Sequence, residues 1–303
     1  MTGGFDLMLL ATYTVSGRRH VGVVSEDRTT VSPLAVSDAA AALGVRAIVE
    51  DAAAGRHLPE AGAPVPLAEV TLDAPIPRPA RNIFCVGKNY FDHAHEFAKS
   101  GFDMSAASGA VPEAPIIFSK VPESVIGPDR PILIDPDIST AIDYEAELAV
   151  IIGTGGRGIP KERALEHIFG YTIVNDVTAR DIQGRHKQWL LGKSQDTFCP
   201  MGPWVVTADA VSLDDMVVRC WVNDELRQDA PTKALIFDVP TLISTISRGI
   251  TLQPGDIIAT GTPAGVGIGF DPPRYLRDGD RVRIEISGIG NLGNVVARYG
   301  RRP

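Results

Sequence analysis

The sequence predicts an α+β protein dominated by strands, with a small N-terminal α+β domain over residues 1–75 and a larger mixed-β core over 76–303. Three observations predict it. Thirty glycines and 23 prolines make a turn-rich chain, which suits short strands and irregular loops better than a helical bundle. Apolar residues come in short bursts bounded by Gly, Pro, Asn or Asp, and few stretches carry helical spacing. Six prolines crowd the interval from Pro59 to Pro79. That is the composition of a linker or an extended edge, and it places the domain boundary near residue 75.

Residues 7 to 36 alternate in bursts (Leu7 to Leu10, Val21 to Val24) broken by Ser16-Gly17 and Ser25-Glu26-Asp27, the pattern of small strands joined by turns. Ser37-Asp38 caps an alanine-rich helix expected to run through Ala54, with Gly55 as its stop. Beyond the proline interval, Asn82 to Gly87 reads as a short buried strand, and Lys88-Asn89-Tyr90 leads into a helix holding His93, His95 and Glu96. Residues 101–115 are small, polar and aperiodic, as suits a mobile loop over a site. Pro115 to Phe118, Ile132 to Ile134 and Tyr171 to Val174 are strands, and residues 160–169 are expected to form a helix with Pro160 in its first turn. The last third alternates turn and strand at Val217 to Val222, Asp256 to Thr260 and Val282 to Ile286.

Composition excludes several function classes. Apolar content of 44% and charged content of 22% are those of a soluble globular chain. A net charge of −8 with no Lys/Arg run argues against nucleic acid or an anionic membrane as partner. A small anionic substrate must then be held by local positive groups or a metal. Cys85, Cys199 and Cys220 are widely spaced, which predicts free thiols, no cysteine zinc site and a cytoplasmic location. No basic signal-peptide region precedes the short run Leu7 to Ala11, and no apolar stretch is long enough to span a membrane.

The chemistry centres on Asp143-Tyr144-Glu145-Ala146-Glu147, which runs into the apolar Leu148 to Ile152. Alternation along a strand puts Asp143, Glu145 and Glu147 on one face. Two carboxylates about 4 Å apart repel by roughly 4 kcal/mol at an effective dielectric near 20. That raises one pKa by about three units unless a cation sits between them. Asp176, closing the strand Tyr171 to Val174, is either a helix N-cap or a third carboxylate. Joined with Glu145 and Glu147 it makes an oxygen-only set suited to Mg²⁺, Mn²⁺ or Ca²⁺ and not to zinc. His93 and Glu96, three apart on a helix, share a face; they are an incidental surface pair or a base whose tautomer the carboxylate fixes. His95 points away from His93. Lys193, in an apolar and small stretch, either snorkels or steadies an oxyanion. Gly265-Val266-Gly267-Ile268-Gly269 is no dinucleotide loop, because Pro272-Pro273 stands where a helix must begin.

Together these pieces resemble the fumarylacetoacetate hydrolase superfamily. The resemblance rests on Gly87 to Glu96, Asp143 to Leu148, Asn175 to Asp181, Gly192-Lys193-Ser194 and Thr260 to Gly267, five motifs in the family's order. It implies a mixed β-roll catalytic core, a homodimer, and Mg²⁺ or Mn²⁺ on Glu145, Glu147 and Asp176, with Asp143 not a ligand. It also implies His93 and Glu96 as a base dyad on a lid, and Lys193 beside the reacting carbonyl. Arg180, Gln183 and Thr262 match positions that contact the substrate's carboxylate and oxo groups. The interval from Asp176 to Lys193 is shorter than in the mammalian acylpyruvase branch, so the pocket wall there is expected to differ.

The activity this implies first is metal-dependent C–C hydrolysis of acylpyruvate-like β-diketo acids through a metal-bound enolate. The alternative is decarboxylation or isomerisation of 2-oxo dicarboxylates, of the oxaloacetate or 2-hydroxyhepta-2,4-diene-1,7-dioate type, in aromatic catabolism. A remote third is a catalytically silent metal- and ligand-binding protein.

Overall fold

A twelve-stranded sheet runs through the molecule, seen in a computed structural model that describes residues 8–99 and 111–300. Its centre is the strand Ala146–Ile152, buried along its whole length. Leu148, Val150 and Ile152 enter one apolar cluster, while Ala149 and Ile151 enter the other. Both faces of the strand are therefore covered, which explains its unbroken apolar run. On one side it pairs antiparallel with Ile168–Asn175, and on the other with Ile257–Ala259. Ile257–Ala259 pairs parallel with Ile83–Gly87, and that strand pairs antiparallel with Ile116–Lys120 at the edge.

The N-terminal residues extend the same sheet. Leu9–Val15 pairs with Arg18–Val24 and, through Leu9↔Val206, with Cys199–Thr207. Strands within residues 8–75 thus share a sheet with the rest of the chain. A separate five-stranded sheet (Glu225–Pro231, Val217–Val222, Arg281–Ile286, Gly290–Arg298, Ile132–Ile134) packs its apolar residues into the larger cluster. The helix Val45–Ala53 covers the opposite face with Val45, Ile48 and Val49.

The expected strands form, although Leu9–Val15, Arg18–Val24 and Ile168–Asn175 run three to five residues past an expected end, and two helical expectations need correction. The segment after Ser37 is two helices, Asp38–Leu43 and Val45–Ala53. They break at Gly44, whose φ is +67° and where a Cβ would lie 2.5 Å from the Pro75 carbonyl. The chain must pass closer there than any side chain allows. Residues 161–167 form a 3-10 helix, not an α-helix, and Ile168 already belongs to the next strand. Residues 101–110 of the expected mobile loop lie outside the described residues. Among the described residues, no helix is long and apolar enough to cross a membrane.

Candidate active site

Strand pairing builds the acid cluster. Ala146 faces Asn175 in register, and the Asp176 N–H donates to the Glu145 carbonyl at 2.8 Å. The side chains of Glu145, Glu147 and Asp176 therefore converge, each offering an oxygen within 4.8 Å of the others, and all three are buried. The strand breaks between Asp143 and Ala146, so Asp143 leaves the common face that strict alternation predicts. It accepts from the N–H groups of Tyr144, Gly267 and Ile268 and from Arg180 Nε, at 2.6–3.0 Å. With four donors already on it, Asp143 has no lone pair to spare for an ion.

Asp176 caps no helix. Its Oδ1 accepts from Lys120 Nζ and its Oδ2 from Lys193 Nζ, both at 2.7 Å. Lys193 does not snorkel: it is 2% exposed, and its ammonium also reaches Glu145 Oε2 at 2.6 Å. Arg180 Nη1 holds Glu145 Oε1 at 2.6 Å. Burial pushes the Glu145 carboxyl up, but Lys193, Arg180 and His93 outweigh it and hold the group at about 2. Glu147 has no ion pair among the described residues; its Oε2 accepts only the Gly261 N–H, at 2.9 Å. Burial, with the charges of Asp176 and Glu145 beside it, holds its carboxyl well above the usual carboxylate range. Three hard oxygen ligands, one of them short of a cation, fit a divalent metal ion.

The pair expected to act as a base dyad, His93 and Glu96, lies in the helix Phe91–Lys99. His93 is buried, with Nδ1 3.1 Å from Glu96 Oε2, whereas His95 is exposed. Glu96 is itself positioned, because its Oε1 accepts the Gly265 N–H at 3.0 Å and a Cβ on Gly269 would collide with it at 1.9 Å. The glycine-rich loop is thus a clamp: Gly265 holds Glu96 while Gly267 and Ile268 hold Asp143.

One small cavity gathers these groups. His93, Glu145, Glu147, Arg180, Gln183, Lys193 and Thr262 all line it, and its free volume of about 10 Å³ is about that of one water molecule. Asp176 does not line it and acts from behind, through Lys193. Arg180 Nη2 is buried there with no hydrogen-bond partner, and Nη1 also donates to Gln183 Oε1 at 3.2 Å. The Thr262 hydroxyl donates to the Ala146 carbonyl at 3.0 Å and accepts from Gln228 Nε2 at 2.7 Å.

Sequence reading missed Lys120 and Gln228. Lys120 ends an edge strand, and nothing in the local pattern of Ile116–Lys120 signals that it is fully buried. Gln228 also accepts the Ala146 N–H at 3.1 Å, steadying the strand between the two glutamates. Asp229 and Glu225, on the same solvent-facing hairpin, mask it as one more polar residue.

Comparison with known proteins agrees with this geometry. Residues 82–297 match the family model described as fumarylacetoacetate (FAA) hydrolase C-terminal. The chain is 49% identical over 231 residues to oxaloacetate tautomerase YisK of Bacillus subtilis (strain 168), covering 76% of this chain and 74% of that protein. A fumarylacetoacetate hydrolase from psychrophilic Exiguobacterium antarcticum superposes with a TM-score of 0.82 at 41% identity, covering 96% of this chain and 99% of that one. Maleylpyruvate hydrolase from Sphingobium sp. SYK-6, solved with manganese(II) and pyruvate, gives a TM-score of 0.72 at 34% identity, covering 96% and 99%. With the matched model spanning most of the chain and the acid cluster formed as its motifs imply, this protein is a member of the fumarylacetoacetate hydrolase family.

Proposed function

We propose that this protein catalyses keto–enol proton transfer in a short 2-oxo dicarboxylic acid of the oxaloacetate kind, with Mg²⁺ or Mn²⁺ held by Glu145, Glu147 and Asp176. One observation carries the reading: Glu145 and Glu147 of the acid cluster, His93 of the dyad and Arg180, whose Nη2 has no hydrogen-bond partner among the described residues, line a single cavity. A divalent ion bound to these acids would polarise the 2-oxo and carboxylate oxygens and lower the cost of the charge that develops when the neighbouring carbon loses its proton.

The chain's own groups do the rest. The Nδ1–H of His93 donates to Glu96, which leaves Nε2 as the nitrogen with the free lone pair. Nε2 takes the proton from the carbon beside the 2-oxo group, and Glu96 stabilises the imidazolium so formed. Lys193 has given two of its three hydrogens to Glu145 and Asp176 and offers the third to the developing oxyanion. Arg180 Nη2 takes a substrate carboxylate oxygen and thereby gains the partner it lacks. Toward the enol the imidazolium passes that proton to the 2-oxo oxygen; toward the keto form Nε2 takes the enol O–H proton and delivers it to carbon, so no atom is lost and no co-reactant is needed.

The name of the Bacillus relative supports proton transfer ahead of C–C hydrolysis. Hydrolysis is the second reading, supported by the maleylpyruvate hydrolase solved with manganese and pyruvate; in it the same dyad activates water. A homodimer, implied by the family resemblance, belongs to the same proposal and is checked by light scattering.

The test follows loss of enol-oxaloacetate absorbance with Mg²⁺ or Mn²⁺, beside acetylpyruvate hydrolysis followed by NMR. Acceleration that EDTA abolishes and that His93→Ala cuts by about 10²–10⁴-fold, mainly in kcat, is expected. The proposal fails if His93→Ala keeps the full rate, or if acetylpyruvate is cleaved while oxaloacetate tautomerises no faster than in buffer.

A further inference from the structure

We propose that Trp189 sets substrate length, restricting the site to 2-oxo acids of about four carbons and shutting out longer or aryl-bearing ones; the choice of reaction rests on the proposed function, the length limit on Trp189 alone. Trp189 immediately precedes the one-turn helix Leu190–Lys193, and the Lys193 N–H donates to its carbonyl at 3.0 Å. The indole is therefore one helical turn from the ammonium that holds Glu145 and Asp176.

The ring is clamped on three sides. A Cβ added to Gly87 would lie 2.5 Å from Cζ3 and 2.9 Å from Cη2 of the indole, so the ring lies flush against that strand and cannot retreat into it. The Phe118 ring meets it edge-on, with centroids 5.2 Å apart and planes at 68°. The Phe97 ring does the same at 6.4 Å and 71°. Phe118 also lies under the Lys193 ammonium, 4.9 Å from Nζ to its centroid, and Phe97 follows His93 by one turn on the base helix. One indole thus wedges between the element that carries the base and the element that carries the oxyanion donor.

Within the cavity lining the apolar members are Val86, Gly87, Phe97, Phe118 and Trp189, and Trp189 is the largest. The acids and Arg180 fix the 2-oxo acid end of a ligand. Whatever projects beyond that end meets an aromatic wall, with the Lys88 ammonium at its edge, 5.5 Å from the Phe97 centroid. The indole fills the space into which a longer chain or a ring has to extend.

Two probes separate this proposal from the tautomerase reading: oxalate, which has nothing beyond the chelating end, and 2-oxo-4-phenylbutanoate, which has a ring. Isothermal titration of the protein in Mg²⁺ is expected to give oxalate the tighter binding by about 100-fold, the scale of discrimination that pocket size alone achieves. Trp189→Ala is expected to narrow that ratio by about tenfold or more, through tighter binding of the longer probe. Oxalate binding by the variant shows that its metal site is intact, and Trp189→Leu serves if the alanine variant does not fold. An unchanged ratio overturns the proposal, as does an equal gain for both probes, which would make Trp189 a general barrier to entry. Probe discrimination without oxaloacetate turnover would sink the proposed function and leave the length limit standing. Turnover without discrimination would do the reverse.

Discussion

Replacing Lys120 by methionine tests how the acid cluster is held together. Lys120 is fully buried at the end of Ile116–Lys120, and its ammonium donates to Asp176 Oδ1 at 2.7 Å, to the Val177 carbonyl at 3.1 Å and to the Lys193 carbonyl. It joins three segments distant in sequence and is one of two cations on Asp176. Methionine fills much of the same space with no charge. Asp176 is then left with Lys193 alone, and two carbonyls lose their donor. Removing one partner of a buried ion pair costs about 3–5 kcal/mol, a large share of the roughly 5–15 kcal/mol that holds a typical native fold. At about 2 °C per kcal/mol for a chain of this size, Tm falls by about 6–10 °C.

The assay is urea unfolding followed by circular dichroism in EDTA, with refolding checked, on the wild type, Lys120→Met, Asp176→Asn and the double variant. The double variant is expected to cost less than the sum of the singles by about 1 kcal/mol or more, because the second change removes the charge that the first stranded. A cost below about 1 kcal/mol for Lys120→Met, or strict additivity, would refute the claim that Lys120 and Asp176 act as a unit.

Three other substitutions or treatments follow from the same contacts. Glu147 carries a raised pKa, so its contribution to stability is fully present below the unfolded glutamate pKa and is lost as pH rises through the folded value; thermal scans in EDTA should therefore show the protein weakening on the alkaline side of the ordinary glutamate range, and Glu147→Gln should flatten that limb while weakening Mg²⁺ binding by at least about tenfold. Gly269→Ala places a Cβ 1.9 Å from Glu96 Oε1, so it should dislodge Glu96 and lower kcat by about tenfold or more with little change in Tm, measured beside Glu96→Gln as the reference. Cys85, Cys199 and Cys220 are all buried, and burial pushes the Cys199 thiol up to about 12 and Cys85 well above its usual value; iodoacetamide should label none of them in the native protein and all three in denaturant.

Much of this site was legible in the sequence because its motifs are local. Glu145 and Glu147 announce themselves by standing two apart where an apolar strand begins, and His93 and Glu96 by helical spacing. The break of the strand at Tyr144-Glu145 was not legible. It depends on Arg180 and the Gly267-Ile268 amides, which reach Asp143 only after the chain has folded. The continuous helix expected after Ser37 failed for a similar reason. Its alanine-rich pattern is sound on both sides of Gly44, but the Pro75 carbonyl occupies the space a straight helix would need.

The partners of the acids were the hardest part to read, and the reason bears on what the cluster does. Glu145 has Lys193 and Arg180, and Asp176 has Lys120 and Lys193. Each cation comes from a segment that topology, not sequence proximity, brings alongside. Among the described residues, Glu147 alone receives only a backbone N–H. Pairing the first two acids orients them without an ion, so the chain can fold before any metal binds. Leaving the third without a cation holds its pKa up, and a divalent ion bound there would take the place of its proton. A lysine opposite Glu147 would make the metal-free fold sturdier and remove the reason to bind a metal at all. The asymmetry among three otherwise similar carboxylates is therefore what fits a buried ion-pair network to hold a divalent ion.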